Sequence, residues 1–376
     1  MLLQRYYDDL NVQIKSGKVL ILYGPRRVGK TTLLEHFLST TSMKYRLDSG
    51  DNIRIRQVLS SQDFRQILEY AKGYDLIALD EAQEIPNIGQ GLKIIVDHIP
   101  GIKVIATGSS SFNLSQHVGE PLTGRKHTVI LFPLAIMELC HDSNTFDLKE
   151  RLSDHITFGL YPEVIIAETR EEKIRILKEL VDSYLLKDIL AHENIKGPTV
   201  LFNLVKLLAF QVGQLVSFNE LATQLHIDVK TVARYINILQ KSFIIYKVNG
   251  FSGNLRKEIS KKCKIYFFDT GIRNAVISNF NDINLRNDAG SLWENFLFME
   301  RLKKHAYEGF YGEHYFWRTY NGQEIDLIET IDNTISAFEF KFSSKKRVGA
   351  PNEWKKFYPQ SSYECITPDN YLDFIL

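Results

Sequence analysis

The sequence predicts an α/β protein: a parallel sheet covered by helices, then a helical cluster, then a second sheet-bearing segment toward the C-terminal end. Three observations carry this reading. Short apolar runs at 19–24 (VLILYG), 75–80 (DLIALD), 103–108 (KVIATG) and 128–133 (TVILFP) alternate with helix-like stretches such as TTLLEHFLS and FRQILEYAK. Continuous apolar strands separated by helices indicate a parallel sheet buried on both faces. From about 147 to 250 the apolar spacing turns helical, and beyond it KIYFFDTG and FEFKF read again as strands.

Taken in order, the first α/β segment ends near residue 140, and its domain is assigned to 1–146. In EEKIRILKELVDSYLLKDIL, residues Ile174, Leu177, Val181, Tyr184, Leu185 and Ile189 fall at three- and four-residue spacing. KGPTV at 196–200 then breaks the chain. A second helical cluster runs to about 250, a Gly/Asn/Lys-rich segment leads to KIYFFDTG, and NDINLRNDAGS marks a loop before the amphipathic SLWENFLFMERLKK. The remaining boundaries are 147–198, 199–255 and 256–376.

Bulk properties exclude more than they assign. A chain of 376 residues, 44% hydrophobic, has room for two or three cores. Its 46 Lys plus Arg nearly cancel 45 Asp plus Glu, so any nucleic-acid contact has to come from a local patch. Cys140, Cys263 and Cys365 lie far apart without metal-ligand spacing and read as reduced thiols of a cytoplasmic protein. The apolar runs all fall short of the roughly 20 residues that span a bilayer, so no membrane partner is expected.

GPRRVGKT, Gly24 to Thr31, fits GxxxxGK[ST] between a predicted strand and a predicted helix, the context that gives this motif its meaning. Glycines let backbone N–H groups close around phosphates, Lys30 reaches the β and γ phosphates of ATP, and Thr31 holds Mg²⁺. Gly24, Pro25, Arg26, Arg27, Val28, Gly29, Lys30, Thr31 and Thr32 are expected to line the nucleotide. Asp80, ending an apolar strand, is placed to hold the Mg²⁺ shell, and Glu81 to polarise an attacking water; alone, the acidic pair also suits a helix N-terminus. Ser109 or Ser110, after the next strand, would sense the γ-phosphate. Arg125 is a candidate cation for the transition state, in cis or from a neighbouring subunit of a homo-oligomer, with a solvent-facing arginine as the alternative.

ELATQLHIDVKTVARYINILQKSFII reads as helix, turn, helix. Leu221, Ala222 and Leu225 pack the first helix and His226-Ile227-Asp228 turns. Val229, Val232, Ile236 and Leu239 stripe the second, with FIIYKVNGF as a wing. Lys230, Thr231, Arg234 and Asn237 remain on an exposed face, open to DNA or to a protein partner. In FEFKFSSK, Phe338, Phe340 and Phe342 share one face of a strand, and Glu339 and Lys341 the other. With Asp326 on the preceding strand this gives D…ExK. The two carboxylates would bind a hard divalent ion, Glu294 from SLWENFLFMERLKK would complete the set, and Lys341 would position the hydrolytic water. A cross-strand ion pair on a wet face is the plainer alternative.

Together, GPRRVGKTTLL, LIALDEAQ, VIATGSSS, LTGRKHTVILFPLAIMEL, FGLYPEV, KTVARYINIL, KIYFFDTGI, GSLWENFLFMERL and EIDLI…AFEFKFSS resemble, over nearly the full length, the prokaryotic AAA-type ATP-binding proteins whose C-terminal half is domain of unknown function 4143. The resemblance implies a P-loop NTPase sheet of the AAA/ASCE type, a helical lid, a winged helix and a restriction-endonuclease-like α/β domain. Lys30, Thr31, Asp80 and Glu81 carry over as its nucleotide site. Leu160 stands where the family often has glycine, and Ile325, not proline, precedes Asp326. The expected activity is an Mg-dependent ATPase that couples nucleotide state to DNA binding and to metal-dependent cleavage. The alternative is a nucleotide-controlled switch with an inert C-terminal domain. A helicase fares worst, because one P-loop domain lacks a second core to close on the nucleotide.

Overall fold

The computed structural model describes residues 3–109, 121–141, 143–182, 197–252, 262–343 and 348–376. The chain divides into two compact units at Phe132 and Pro133, whereas the sequence places the first boundary at 146. No helix among the described residues is long and apolar enough to cross a membrane.

The first unit is built on five strands: β1 (Val19–Tyr23), β2 (Tyr45–Ser49), β3 (Leu76–Asp80), β4 (Lys103–Gly108) and β5 (Lys126–Ile130). All pairings are parallel, in the order β2-β3-β4-β1-β5. Most residues of β1, β3 and β4 are buried, as strands covered on both faces must be. The helix Lys30–Thr40 packs Leu33, Leu34, Phe37 and Leu38 inward, and Ile67 and Tyr70 on Phe64–Ala71 join the core with Leu92 and Ile95 on Ile88–His98. β2 has no apolar run in its sequence, because YRLDS lies at the sheet edge with exposed and half-buried residues only. β4 separates β1 from β3, so the ends of all three strands meet on one side.

The second unit holds seven strands in one mixed sheet: β6 (Leu215–Ser217), β7 (Ile245–Gly250), β8 (Lys262–Phe267), β9 (Glu313–Arg318), β10 (Glu324–Ile331), β11 (Thr334–Phe340) and β12 (Ser362–Ile366). Their order is β12-β11-β10-β9-β7-β8-β6. The strands flanking the helix-turn-helix therefore continue the sheet that carries D…ExK; β7 pairs with β9 through Asn249↔Tyr315 and Gly250↔Phe316. Asp332 and Asn333 make the tight β10–β11 hairpin, Asp332 with φ 52°, the left-handed turn geometry that matches strand twist.

The helix-turn-helix forms as expected: Phe218–Leu225, a turn with His226 at φ 53°, then Val229–Lys241. Leu221, Ala222, Val232, Ile236 and Leu239 are buried; Leu225 is only half-buried, and Val229 departs from the expected stripe, 41% exposed as the first residue of its helix. Before it, helices Leu152–Phe158, Pro162–Ile166 and Arg170–Leu180 bury Leu177. Tyr184, Leu185 and Ile189 lie outside the described residues, as does Ser110.

Leu160 fills its expected glycine position without strain, since Gly159 supplies the left-handed turn (φ 73°) and the Leu160 N–H donates to the buried Asp269 Oδ2 at 2.7 Å. Phe338 and Phe340 pack on Phe374 at 4.9 and 5.7 Å between ring centroids, and Phe342 approaches Trp293 at 5.8 Å.

Candidate functional site

The phosphate-loop motif leaves β1 at Tyr23 and enters the helix Lys30–Thr40. Gly24 has φ 153°, and a Cβ there would lie 2.0 Å from the Leu131 carbonyl oxygen, so only glycine fits. Gly29 caps the helix in the left-handed region. Arg5, which the sequence reading passed over, is buried and donates from Nη1 to the Val28 carbonyl at 2.5 Å and from Nη2 to the Phe132 carbonyl at 2.8 Å. It ties the loop backbone to the segment following β5.

Lys30 is 6% exposed and donates to the Gly24 and Pro25 carbonyls at 2.9 and 2.7 Å. Burial lowers its pKa to about 8, partly offset by Glu81 and Asp80. Thr31 Oγ1 donates to Asp80 Oδ2 at 2.9 Å. Adjacent oxygens of an octahedral Mg²⁺ shell with bonds near 2.1 Å lie about 3.0 Å apart, so this pair fits the expected ion. A cavity of about 210 Å³ opens beside it, lined by Thr31, Glu35, Asp48, Ser49 and Asp80.

Glu81 sits in the left-handed region, φ 47° and ψ 44°, a conformation costing a non-glycine residue about 1–3 kcal/mol, of the kind that gathers at reactive sites. Two further residues hold this corner. Thr107, on β4, donates its hydroxyl to Asp80 Oδ1 and accepts the Glu81 N–H at 3.1 Å. The Gln83 amide donates to Glu81 Oε2 and accepts the Ser109 N–H at 3.3 Å. Ser109 is fully buried at the end of β4. Thr107 could have been found, since it stands directly before Gly108 in the strand adjoining Asp80.

Arg125 requires a correction. It precedes β5, and its carbonyl accepts the Val19 N–H at the entry of β1. The phosphate loop is at the opposite strand ends, roughly 15 Å away at about 3.3 Å per residue. The guanidinium pairs with Asp97. In cis it cannot reach the site; the guanidinium is half-exposed.

In the second unit a cleft of about 730 Å³ gathers Glu294, Asp326, Glu339 and Lys341, together with Glu324, Arg318 and Gly213. Glu294 is on the helix Ala289–Glu308, Asp326 on β10 and Glu339 on β11; Lys341 directly follows β11. Gly213, with φ 72°, turns against Glu294, where a Cβ would lie 3.1 Å from Oε2.

The expected carboxylates are already engaged by protein donors. Asp326 Oδ2 accepts the Phe340 N–H at 2.9 Å, Glu339 Oε1 accepts from Lys341, and Glu294 Oε1 accepts from Tyr266 at 2.6 Å and from Lys264 at 2.7 Å. Burial and then Asp326 push both Glu294 and Glu339 up to about 7. The structure brings the ligand set expected from sequence to one cleft.

Ligand atoms of His305, His314 and Glu329 all lie within 4.8 Å of one another. There Arg301 already holds Glu329 at 2.8 and 3.0 Å, and the two imidazoles face each other at 2.8 Å.

Comparison with known proteins assigns the class. Residues 16–140 match the AAA domain model, residues 289–370 match domain of unknown function 4143, and residues 149–283 match a separate domain of unknown function, 8612. The chain thus carries a phosphate-loop region that matches the AAA domain, followed by a region that matches domain of unknown function 4143. Among curated relatives, it is 25% identical over 331 residues to an uncharacterized protein of Mycobacterium tuberculosis, covering 87% of this chain and 70% of the relative. An uncharacterized protein of Haemophilus influenzae is 26% identical over 329 residues (80% and 78%). Another, from Methanocaldococcus jannaschii, is 26% identical over 348 residues (85% and 74%). Of solved structures, a Walker-type ATPase of Pyrococcus abyssi aligns with TM-score 0.45 and 14% identity, over 70% of this chain and 91% of that one.

Proposed function

We propose that the chain hydrolyses ATP with Mg²⁺ at the phosphate-loop site and that the nucleotide state controls binding by its helix-turn-helix. The observation that carries the first part is the 2.9 Å contact between Thr31 Oγ1 and Asp80 Oδ2, which puts side by side the two oxygens that would hold Mg²⁺. When bound, Mg²⁺ would neutralise charge on the transferred phosphoryl group.

The chain's own residues do the rest. Loop N–H groups of Gly24–Thr32 and the helix N-terminus bind the phosphates, and the Lys30 ammonium exchanges its loop carbonyls for phosphate oxygens. Glu81 orients a water and takes its proton, held for this by Gln83, while Ser109 directly follows the strand that lies between Asp80 and the loop. The test is phosphate release by wild type, Lys30→Ala and Glu81→Gln. Glu81→Gln should bind ATP and lose turnover by two or more orders of magnitude, roughly the scale of a general base. Turnover equal to wild type would remove Glu81 from the reaction.

For the binding target, DNA is favoured by Lys230, Arg234 and Asn237, which stand exposed on the second helix while Val232, Ile236 and Leu239 face inward. This is the presentation of a recognition helix. Fluorescence anisotropy of a labelled duplex with and without ATP, for wild type and Lys230→Ala/Arg234→Ala, examines it. Equal affinity in all four conditions would turn the reading toward a protein target. No cleavage step is assigned to the C-terminal cleft.

A further inference from the structure

The C-terminal cleft presents its carboxylates to a lysine. Lys264, on β8, is 1% exposed, and its Nζ lies 2.7 Å from Glu294 Oε1, 2.5 Å from Glu324 Oε1 and 3.4 Å from Asp326 Oδ1. An ammonium has three protons and no more, and here three carboxylates surround them. Burial works against the charge, but Glu294, Tyr266, Asp326 and Glu324 outweigh it and hold the pKa well above its usual value. The backbone fixes the position: Lys264 pairs with Val248 on β7 and with Leu215 on β6, so a paired interior strand, not a free loop, carries the amine.

One oxygen in the cleft is left over. Glu339 Oε2 is buried and has no hydrogen-bond partner, and the residue is 9% exposed. A buried carboxylate oxygen in that condition is a ready ligand for a hard cation.

We propose that Lys264 is a resident cation: it takes the place a divalent ion would occupy among Glu294, Glu324 and Asp326, and so keeps the cleft free of metal. Neutralising Lys264 converts the cleft into a divalent-cation site completed by Glu339. The inference stands apart from the ATPase reading, since it concerns other residues and needs no nucleotide.

The experiment uses the full chain with Asp80→Asn, to silence the phosphate-loop position, and follows free Mn²⁺ by electron paramagnetic resonance. With Lys264 intact, no stoichiometric Mn²⁺ binding is expected at millimolar ion. Lys264→Met and Lys264→Gln should bind one ion at least about an order of magnitude more tightly, and Glu339→Gln added to either should abolish the gain. One Mn²⁺ bound with Lys264 intact and lost on Glu339→Gln would overturn the proposal. So would a Lys264 variant with the wild-type circular dichroism spectrum that binds no ion. If neither Lys264 variant folds, the Lys264-intact chain still decides between a metal-free and a metal-loaded cleft.

Discussion

Nucleotide binding should take up protons at alkaline pH, and Lys30 should be the group that takes them. Burial lowers the Lys30 amine to about 8 from 10.5. Since one pKa unit is about 1.36 kcal/mol, holding this lysine charged in the empty loop costs about 3 kcal/mol. The sign follows from linkage: the folded pKa lies below the unfolded one, so the cost is present in full below about pH 8 and fades as pH rises toward 10.5. A polyphosphate against Nζ favours the ammonium and restores its pKa. Binding should therefore take up about 0.1 proton at pH 7, about 0.5 at pH 8 and about 0.9 at pH 9, by simple titration of one group with a restored pKa at or above 10.5. Isothermal titration calorimetry with ATP in two buffers of different ionisation enthalpy reads this number directly. Uptake that stays the same from pH 7 to pH 9 would refute the reasoning, because a lysine already charged, or one that never meets phosphate, has no proton to gain.

Thr107→Val removes the hydroxyl that touches both Asp80 and the Glu81 N–H; a loss of about 10–100-fold in Mg²⁺ affinity or turnover is expected, as for other supports of metal ligands, and a magnesium titration of ATP hydrolysis checks it. Arg125→Ala should leave turnover within about twofold and cost at most about 1 kcal/mol, since its partner Asp97 forms an exposed pair; a large loss of turnover that depends on protein concentration would instead make it a trans-acting residue. Lys303 and Glu300 are 2% and 3% exposed and paired at 2.7 Å. Lys303→Met should destabilise the second unit by about 3–5 kcal/mol by leaving Glu300 charged and unmatched, and adding Glu300→Gln should recover part of that. Urea denaturation of the single and double variants measures both.

The sheet cores were legible because burial writes itself locally. Val19–Leu22, Leu76–Leu79 and Val104–Ala106 are apolar since both faces of those strands are covered, and the helix-turn-helix showed in the spacing of Leu221, Val232, Ile236 and Leu239. The phosphate-loop motif and the Asp80–Glu81 pair were legible for another reason: the first links a strand to a helix and the second closes a strand, the contexts that phosphate chemistry demands. β2 was not, because YRLDS at a sheet edge needs no apolar run. Val229 was misread because the first turn of a helix can leave a stripe position uncovered.

What only the tertiary structure decided is where charges meet. The chain order fixes that Arg125 precedes a strand, but the parallel pairing of β1 with β5 places it at the far end from the phosphate loop. D…ExK named Asp326, Glu339 and Lys341 correctly as neighbours, yet Lys264 precedes Asp326 by 62 residues in sequence. Its alternation with Lys262 and Tyr266 hinted at a polar face, but no local pattern states what that face opposes. The pairings β6–β8–β7–β9–β10 bring the amine against Glu294, Glu324 and Asp326. A metal motif is a statement about residue types; whether it holds a metal depends on the net charge at one point in space, and that sum is taken over strands far apart in sequence.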